Sequence, residues 1–313
     1  MKSITEEMRF RQRLCEYALK HGVTKAARRY HTYRQFVYRQ LERYDGTVRS
    51  LAFQSRRPHS SPTAHTEEEL ALIRHMLKRN GIYGLAEVYV RCKAKGYDRG
   101  FSSMCRQIRR KGYRKPSVHR KSYTQYDRLD GAFPGDKVQV DIKYVPMECI
   151  LFPCYGDRYY QITAIDEYSR KRVLKIVKEK STYETSKFLR TLSERMGFKI
   201  HTIQVDNGPE FVNDNDKTDK ESAFERVVEQ LNMQLRRTRP YSPWQNGKVE
   251  RSHREDGKIL YGRKIFTSEQ ELKEQVRKHQ ERYNRTAKTS LNFKSPNQIV
   301  SEYFSACNIC LDT

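Results

Sequence analysis

The sequence lacks any run of 18 or more apolar residues, so no transmembrane helix and no membrane partner are expected. Its first residues, MKSITEEMRFRQRL, hold no apolar segment of the secretory kind, so no signal peptide is expected. Tryptophan occurs once, at Trp244, and the mean hydropathy is −0.93; the cores must be small and the surface highly charged. Disorder is nonetheless excluded, because aromatic residues make up 11% of the chain. The seven cysteines are odd in number and widely scattered, which excludes a disulfide framework and suits a reducing cytoplasm. Cys307 and Cys310 form a single CxxC; a zinc site needs a second ligand pair, so a metal there is disfavoured.

Acidic residues are also scarce, 38 against 62 Lys and Arg, for a net charge of +24. The imbalance is polarised. Residues 1–120 carry 28 basic and 10 acidic side chains, whereas the remainder is nearly balanced. Solubility does not require such asymmetry; a polyanion grip followed by a different activity does. At 313 residues the chain is long enough for two or three domains.

Residues 10–44 read as three short helices, the second opened by Thr24 and the third by Thr32. In the third, Val37, Leu41 and Tyr44 would face inward and Arg34, Gln35, Arg39 and Arg43 outward. This is the helix-turn-helix plan, with side chains able to bond bidentately to base edges; a plain three-helix bundle is the bland alternative. A linker rich in Arg, Ser and Pro follows. Thr66-Glu-Glu-Glu69 is then a capping box, with Leu70, Ile73 and Leu77 as a buried stripe. Helices near 85–95 and 102–111 complete a second helical unit, and its last helix carries Arg106, Arg109, Arg110 and Lys111. The divisions expected are a helix-turn-helix DNA-binding domain at 1–50, a second helical DNA-binding domain at 64–116, a basic linker at 117–135, a catalytic core at 136–262 and a helical extension at 263–313.

From residue 136 the pattern changes to β-branched runs: 137–145, 159–165 and 172–177, then a helix over 183–196 and a strand over 199–205. A helix over 222–233, a strand over 235–239 and a helix over 245–260 follow. The order β-β-β-α-β-α-β-α predicts an α/β fold with a mixed sheet rather than a simple alternating parallel one.

Three acids stand out. Asp141 lies inside an otherwise apolar strand, where a carboxylate is costly unless it meets a cation or other partners. Asp206 ends a strand and is followed by Asn207-Gly208-Pro209, a turn at the carboxyl end of a strand where ligands favour binding. Glu250 lies on the helix begun by Ser242-Pro243. Carboxylates of this kind suit Mg²⁺ or Mn²⁺, and two such ions can assist a phosphodiester displacement.

The segments VQVDIKYV, TIQVDNGPEF and RPYSPWQNGKVERSHR resemble the catalytic core of insertion-sequence transposases related to retroviral integrases, the DDE recombinases. The tail YNRTAKTSLNFKSPNQIV resembles the end of that core, and the paired helical units resemble their DNA-end-binding region. The resemblance implies a ribonuclease-H-like core of five strands, with Asp141, Asp206 and Glu250 as catalytic residues holding two Mg²⁺ or Mn²⁺ ions. It implies cleavage at transposon ends and strand transfer into target DNA, by a homodimer or larger assembly in the cytoplasm, associated with the nucleoid. Two departures stand against it. Relatives commonly place fewer than the 43 residues found here between the second Asp and the Glu; the polar stretch 213–221 is the expected insertion. Relatives also often carry Lys or Arg where Gly257 stands; Arg254 and Lys258 are the candidate substitutes for contacting DNA phosphate.

Among other polar residues, Asp166 and Glu167 read as turn-forming, Glu210 as orienting its loop, and Trp244 as a loop anchor. His253 reads equally as a helix-surface residue or as a contact near Glu250, and Arg236, Arg237 and Arg239 equally as a solvated edge or a DNA path. The competing functional reading is a catalytically inactive helix-turn-helix regulator of transposition; a plain ribonuclease H leaves the basic first third without a purpose.

Overall fold

The computed structural model describes residues 4–53, 61, 63–114, 131–153, 158–213, 220–239 and 242–311. Most of the expected basic linker and of the 213–221 insertion lies outside the described residues, as does the side chain of Cys310. The chain divides into two compact units, Met1–Ala64 and His65–Thr313.

The first unit is helical: α1 Glu6–His21, α2 Val23–Arg29 and α3 Arg34–Arg43. Leu14, Ala18, Ala26, Ala27 and Val37 form its core. The helix starts differ from the sequence reading. Gly22, at φ +87°, turns the chain directly into α2, so Thr24 falls inside the first helical turn. Tyr33, not Thr32, precedes α3, and neither α2 nor α3 has a side-chain cap. The inward face of α3 also differs: Val37 and Gln40 are buried, whereas Leu41 and Tyr44 are only half-buried.

The second unit begins with α4 Glu67–Asn80, α5 Leu85–Lys93 and α6 Phe101–Arg110. Thr66 and Glu69 form the expected capping box, each side chain bonding the other's main chain. These helices pack onto the rest of the unit. Buried Glu87 accepts a hydrogen bond from the Ala287 amide at 2.9 Å and pairs with Arg91 and Arg282. Phe293 closes an aromatic cluster with Tyr89 and Phe101.

The remainder is a mixed five-stranded sheet with helices, and an all-helical region precedes it, as expected. The strands are β1 Lys137–Tyr144, β2 Tyr160–Asp166, β3 Arg172–Val177, β4 Thr202–Val205 and β5 Gln234–Arg237, in the spatial order β3-β2-β1-β4-β5. The first three pair antiparallel, while β4 lies parallel to both β1 and β5. The chain enters β1 through Gly135 at φ +89°, where a Cβ would lie 2.0 Å from the Lys199 carbonyl oxygen.

Strand alternation sends the two sets of side chains to opposite faces. Val138, Val140, Val173 and Val177 meet Phe188, Leu192 and Phe224 from α7 Thr182–Arg190, α8 Leu192–Met196 and α9 Ala223–Gln230. The single helix expected over 183–196 is thus two. The Thr191 amide and hydroxyl both bond the Phe188 carbonyl, tightening the turn and breaking the run. Leu174 and Ile176 meet residues of α11 Glu269–Asn284 on the other face. Gln280 and Asn284 of α11 accept hydrogen bonds from the Leu174 and Arg172 amides, satisfying the open edge of β3. Between these elements runs α10 Gly247–Asp256, continued by a π-turn over Gly257–Tyr261; α12 Pro296–Leu311 ends the chain.

Candidate active site

The parallel register of β1 and β4 pairs Lys137 with Thr202 and Gln139 with Gln204. Continued by two residues, the same offset brings Asp141, in the middle of β1, level with Asp206, the residue that follows β4. The alternation that turns Val138 and Val140 into the core turns Gln139, Asp141 and Lys143 toward α10, the helix that carries Glu250. One Asp141 carboxylate oxygen accepts the Ile142 amide at 2.8 Å. One oxygen of Asp206 accepts the Gly208 amide at 3.0 Å, which fixes the Asp-Asn-Gly turn. Asn207 bonds the Thr238 carbonyl, tying that turn to the end of β5.

Sequence reasoning missed what sets the position of α10. Gln139 and Gln204, on neighbouring strands, both donate to the Gln245 carbonyl, at 2.8 and 2.9 Å. Gln204 also donates to the Asn246 side chain at 3.0 Å, and Gln139 accepts the Val249 amide at 3.1 Å. Two buried amides therefore clamp the start of the helix to the strand that carries Asp141 and the strand that leads into Asp206. A signal was present: both strands read Gln-Val-Asp, and the period of two puts each Gln on the face of its Asp.

Burial pushes the Asp141 carboxyl up to about 7, and the negative charges of Asp206, Glu210 and Glu250 add to the rise. The convergence of acids is thus felt electrostatically. It is not a closed cage: among the described residues no three His, Cys, Asp or Glu side chains stand close enough to hold a metal ion as they lie. Glu250 is exposed on the first turn of α10. Glu210 is buried beneath the Asp206 turn, with one oxygen 2.8 Å from Lys180 and the other without a hydrogen-bond partner. His253 is half-buried, its Nδ1 3.5 Å from an Asp141 oxygen. Burial and the Lys143 cation push it down to about 3, so it meets Asp141 as a neutral ring.

Behind Asp141, on the same side of the sheet, a second buried acid has different company. Asp256 receives Arg172 at 2.7 Å, His279 at 2.9 Å and Gln161 at 2.8 Å, with Lys143 at 3.3 Å. Arg172 is itself fully buried, stacked 3.7 Å over the Tyr283 ring and bonded to Ser252. Burial alone would raise Asp256, but Arg172, His279 and Lys143 outweigh it and hold the group well below the usual carboxylate range. Asp166 takes the turn role expected of it, accepting the Gly135 and Ser169 amides and the Ser169 hydroxyl. Glu167 pairs with Lys137 and Lys248.

The candidate DNA contacts are spread over both units. Arg34, Gln35 and Arg39 are exposed along α3, and Arg39 leans on Tyr33, bonding its hydroxyl at 2.7 Å. Arg43 is half-buried and donates to the Ala52 carbonyl. Arg106, Arg109 and Arg110 are exposed on α6, and Arg254 and Lys258 on and beyond α10. Arg236 and Arg239 are exposed, whereas Arg237 pairs with Glu225. Trp244 is 46% exposed.

Residues 132–243 match the family described as Integrase core domain, and residues 231–296 match a second profile of the same description; together they span more than half of the chain. No curated protein matches the sequence. Similar solved structures include the simian T-cell lymphotropic virus intasome in complex with PP2A regulatory subunit B56 gamma. That match has 16% identity and a TM-score of 0.45, over 67% of this chain and 69% of the other. They also include the HTLV-2 integrase catalytic core domain in complex with magnesium, in its dimeric form. Here identity is 18% and the TM-score 0.41, over 54% of this chain and 99% of the other. Among the described residues, no helix is long and apolar enough to cross a membrane.

Proposed function

The chain belongs to the integrase core domain family, and we propose that it is a transposase that binds transposon ends, cleaves them and transfers the freed strands into target DNA. The observation that carries this reading is the register that sets Asp141 level with Asp206 beneath the helix of Glu250; the half-buried Asp141 carboxyl is raised to about 7, with the charges of Asp206 and Glu250 among the causes. A site that gathers like charges in this way is completed by a cation. The donor set fits Mg²⁺ or Mn²⁺, because carboxylate oxygens are the hard ligands such ions prefer. Asp141, Asp206 and Glu250 would hold two of them. When bound, such ions activate an attacking oxygen and stabilise the leaving one in phosphodiester displacement.

The protein's own contribution is positional. The Gln139–Gln204 clamp holds the start of α10, the helix that carries Glu250, against the strands. The neutral His253 ring stands 3.5 Å from Asp141, and Lys143 holds it from behind by donating to the His253 carbonyl. Arg34, Gln35, Arg39 and Arg43 on α3 would read the transposon end, with Arg106, Arg109 and Arg110 on α6 adding contacts. A homodimer or larger assembly on DNA follows from the need to join two ends.

The test is to incubate the purified chain with labelled element ends and Mn²⁺ and map the products. Asp141→Asn, Asp206→Asn or Glu250→Gln should each lower cleavage by about a hundred- to a thousandfold, since removal of a charge-stabilising group costs factors of that order, while DNA binding persists. Full cleavage by any one of the three variants would refute the assignment. Binding without cleavage by the unaltered chain would favour the regulator instead.

A further inference from the structure

The turn that follows Asp206 buries a further acid. The amides of Phe211 and Val212 both bond the Gly208 carbonyl, at 3.0 and 3.1 Å, so residues 208–212 form one tight turn. The Thr185 hydroxyl of α7 donates to the Glu210 carbonyl at 2.7 Å and anchors it. The Glu210 side chain folds back under Gly208, where an added Cβ would lie 2.6 Å from each carboxylate oxygen. Glu210 is 3% exposed, and its Oε1 meets Lys180 at 2.8 Å. Among the described residues, Oε2 is the one buried carboxylate oxygen without a hydrogen-bond partner. Buried Asp166 and Asp256, by contrast, have both oxygens bonded. A buried acceptor left unpaired destabilises a fold, so this one asks for a donor. It lies within electrostatic reach of the catalytic acids. Its charge acts on Asp141 more strongly than that of Glu250 does, and its partner Lys180 feels Asp206 as well.

We propose that Glu210 is a fourth carboxylate of the cation site, a positioning residue that supplies charge from beneath the turn and offers Oε2 to a water carried by the cation. The inference rests on the reading of Asp141, Asp206 and Glu250 as metal ligands. Ions of the Mg²⁺ kind keep several of their waters when bound to protein. Groups that bond to what the metal carries, rather than to the metal, change its affinity by about ten- to a hundredfold. Glu210 fits that role better than that of a direct ligand. Its carbonyl is tied to Thr185 and its Oε1 to Lys180, so it stays beneath the turn. Lys180, on the solvent side of the pair, balances part of the added charge.

The test reads metal binding and needs no cleavage. Mn²⁺ is titrated into the full chain, slightly above neutral pH, and the free ion is followed by electron paramagnetic resonance. Glu210→Gln keeps the shape of the side chain but removes its charge, and should weaken Mn²⁺ binding about tenfold or more. Lys180→Gln breaks the same ion pair but removes a cation, and should bind Mn²⁺ as tightly as the unaltered chain or more so. A merely structural brace would fail alike in both. Unchanged affinity in Glu210→Gln, or an equal fall in the two variants, would overturn the proposal. Gly208→Ala covers a Glu210→Gln that misfolds. Its methyl must displace the Glu210 carboxylate while every charge is kept, and it too should weaken Mn²⁺ binding; full affinity would overturn the proposal. Asp141→Asn separates this inference from the reading beneath it. If Asp141→Asn loses Mn²⁺ while Glu210→Gln keeps it in full, only the role of Glu210 falls. If the unaltered chain takes up no Mn²⁺, or Asp141→Asn takes it up equally well, both fall.

Discussion

Asp141 is a half-buried and Asp256 a fully buried carboxylate on the α10 side of one sheet, and they sit in opposite electrostatic conditions. Asp256 is surrounded by Arg172, His279, Gln161 and Lys143, and its negative charge is strongly favoured. Asp141 meets other acids and a neutral imidazole, and its charge is disfavoured. Desolvation acts on both; the partners decide the sign. A buried acid supplied with cations by its own chain is part of the scaffold. An acid denied them is where we propose that a cation from solution binds.

The contrast breaks most visibly at Asp256. Asp256→Asn leaves Arg172 fully buried without its counter-charge, and removing one member of a buried pair costs about 3–5 kcal/mol. Urea unfolding should show a loss of that order, whereas Asp141→Asn in metal-free buffer should cost nothing or stabilise. Equal losses at the two positions would dissolve the distinction. The pH dependence has a definite sign. A carboxyl depressed in the folded state contributes stability that is complete above its unfolded pKa of about 3.9 and is lost as pH falls below it. The unaltered chain should therefore lose stability through acid pH more steeply than Asp256→Asn does.

A smaller effect sharpens the other side. A ligand that binds only the folded state at a hundred times its Kd stabilises it by about 2.7 kcal/mol. Mn²⁺ or Mg²⁺ at saturating concentration should thus raise the midpoint of thermal unfolding, and Asp141→Asn or Asp206→Asn should abolish the rise. Asp256 should not matter to it in any variant that still folds. A metal shift that survives Asp141→Asn would move the cation site elsewhere.

The two acids also differ in how plainly the sequence announces them. Asp141 could be read because it interrupts an apolar run, and Asp206 because a turn follows it. The strand and helix order was legible from periodicity. Asp256 was not, since a charged residue on a charged helix looks like surface until Arg172 is known to arrive from a strand far away in the chain. The same holds for the glutamine clamp. Gln139 and Gln245 become neighbours only through the pairing of β1 with β4 and the crossing of α10, which local pattern does not specify. Helix starts at Gly22 and Tyr33 were misplaced for the opposite reason: the nearby threonines matched the capping preference, but backbone conformation was decided at the neighbouring residue.

Lys143 is the group that touches both halves of the comparison, and its removal gives the finest test. Its ammonium lies 3.3 Å from Asp256 and 3.2 Å from the His253 carbonyl, beneath the turn of α10 that faces Asp141. Burial pulls its charged form down, and Asp256 is the main attraction opposing that. Arg172, at 2.7 Å and fully buried, is the closer partner of the same carboxylate. Lys143→Met should therefore leave Asp256 compensated and cost only about 1.5–3 kcal/mol, the worth of a hydrogen bond to a charged group, less whatever desolvation the methionine relieves. The denaturation midpoint should fall by less than it does for Asp256→Asn. A loss as large as that of Asp256→Asn would make Lys143, not Arg172, the counter-charge on which the scaffold depends.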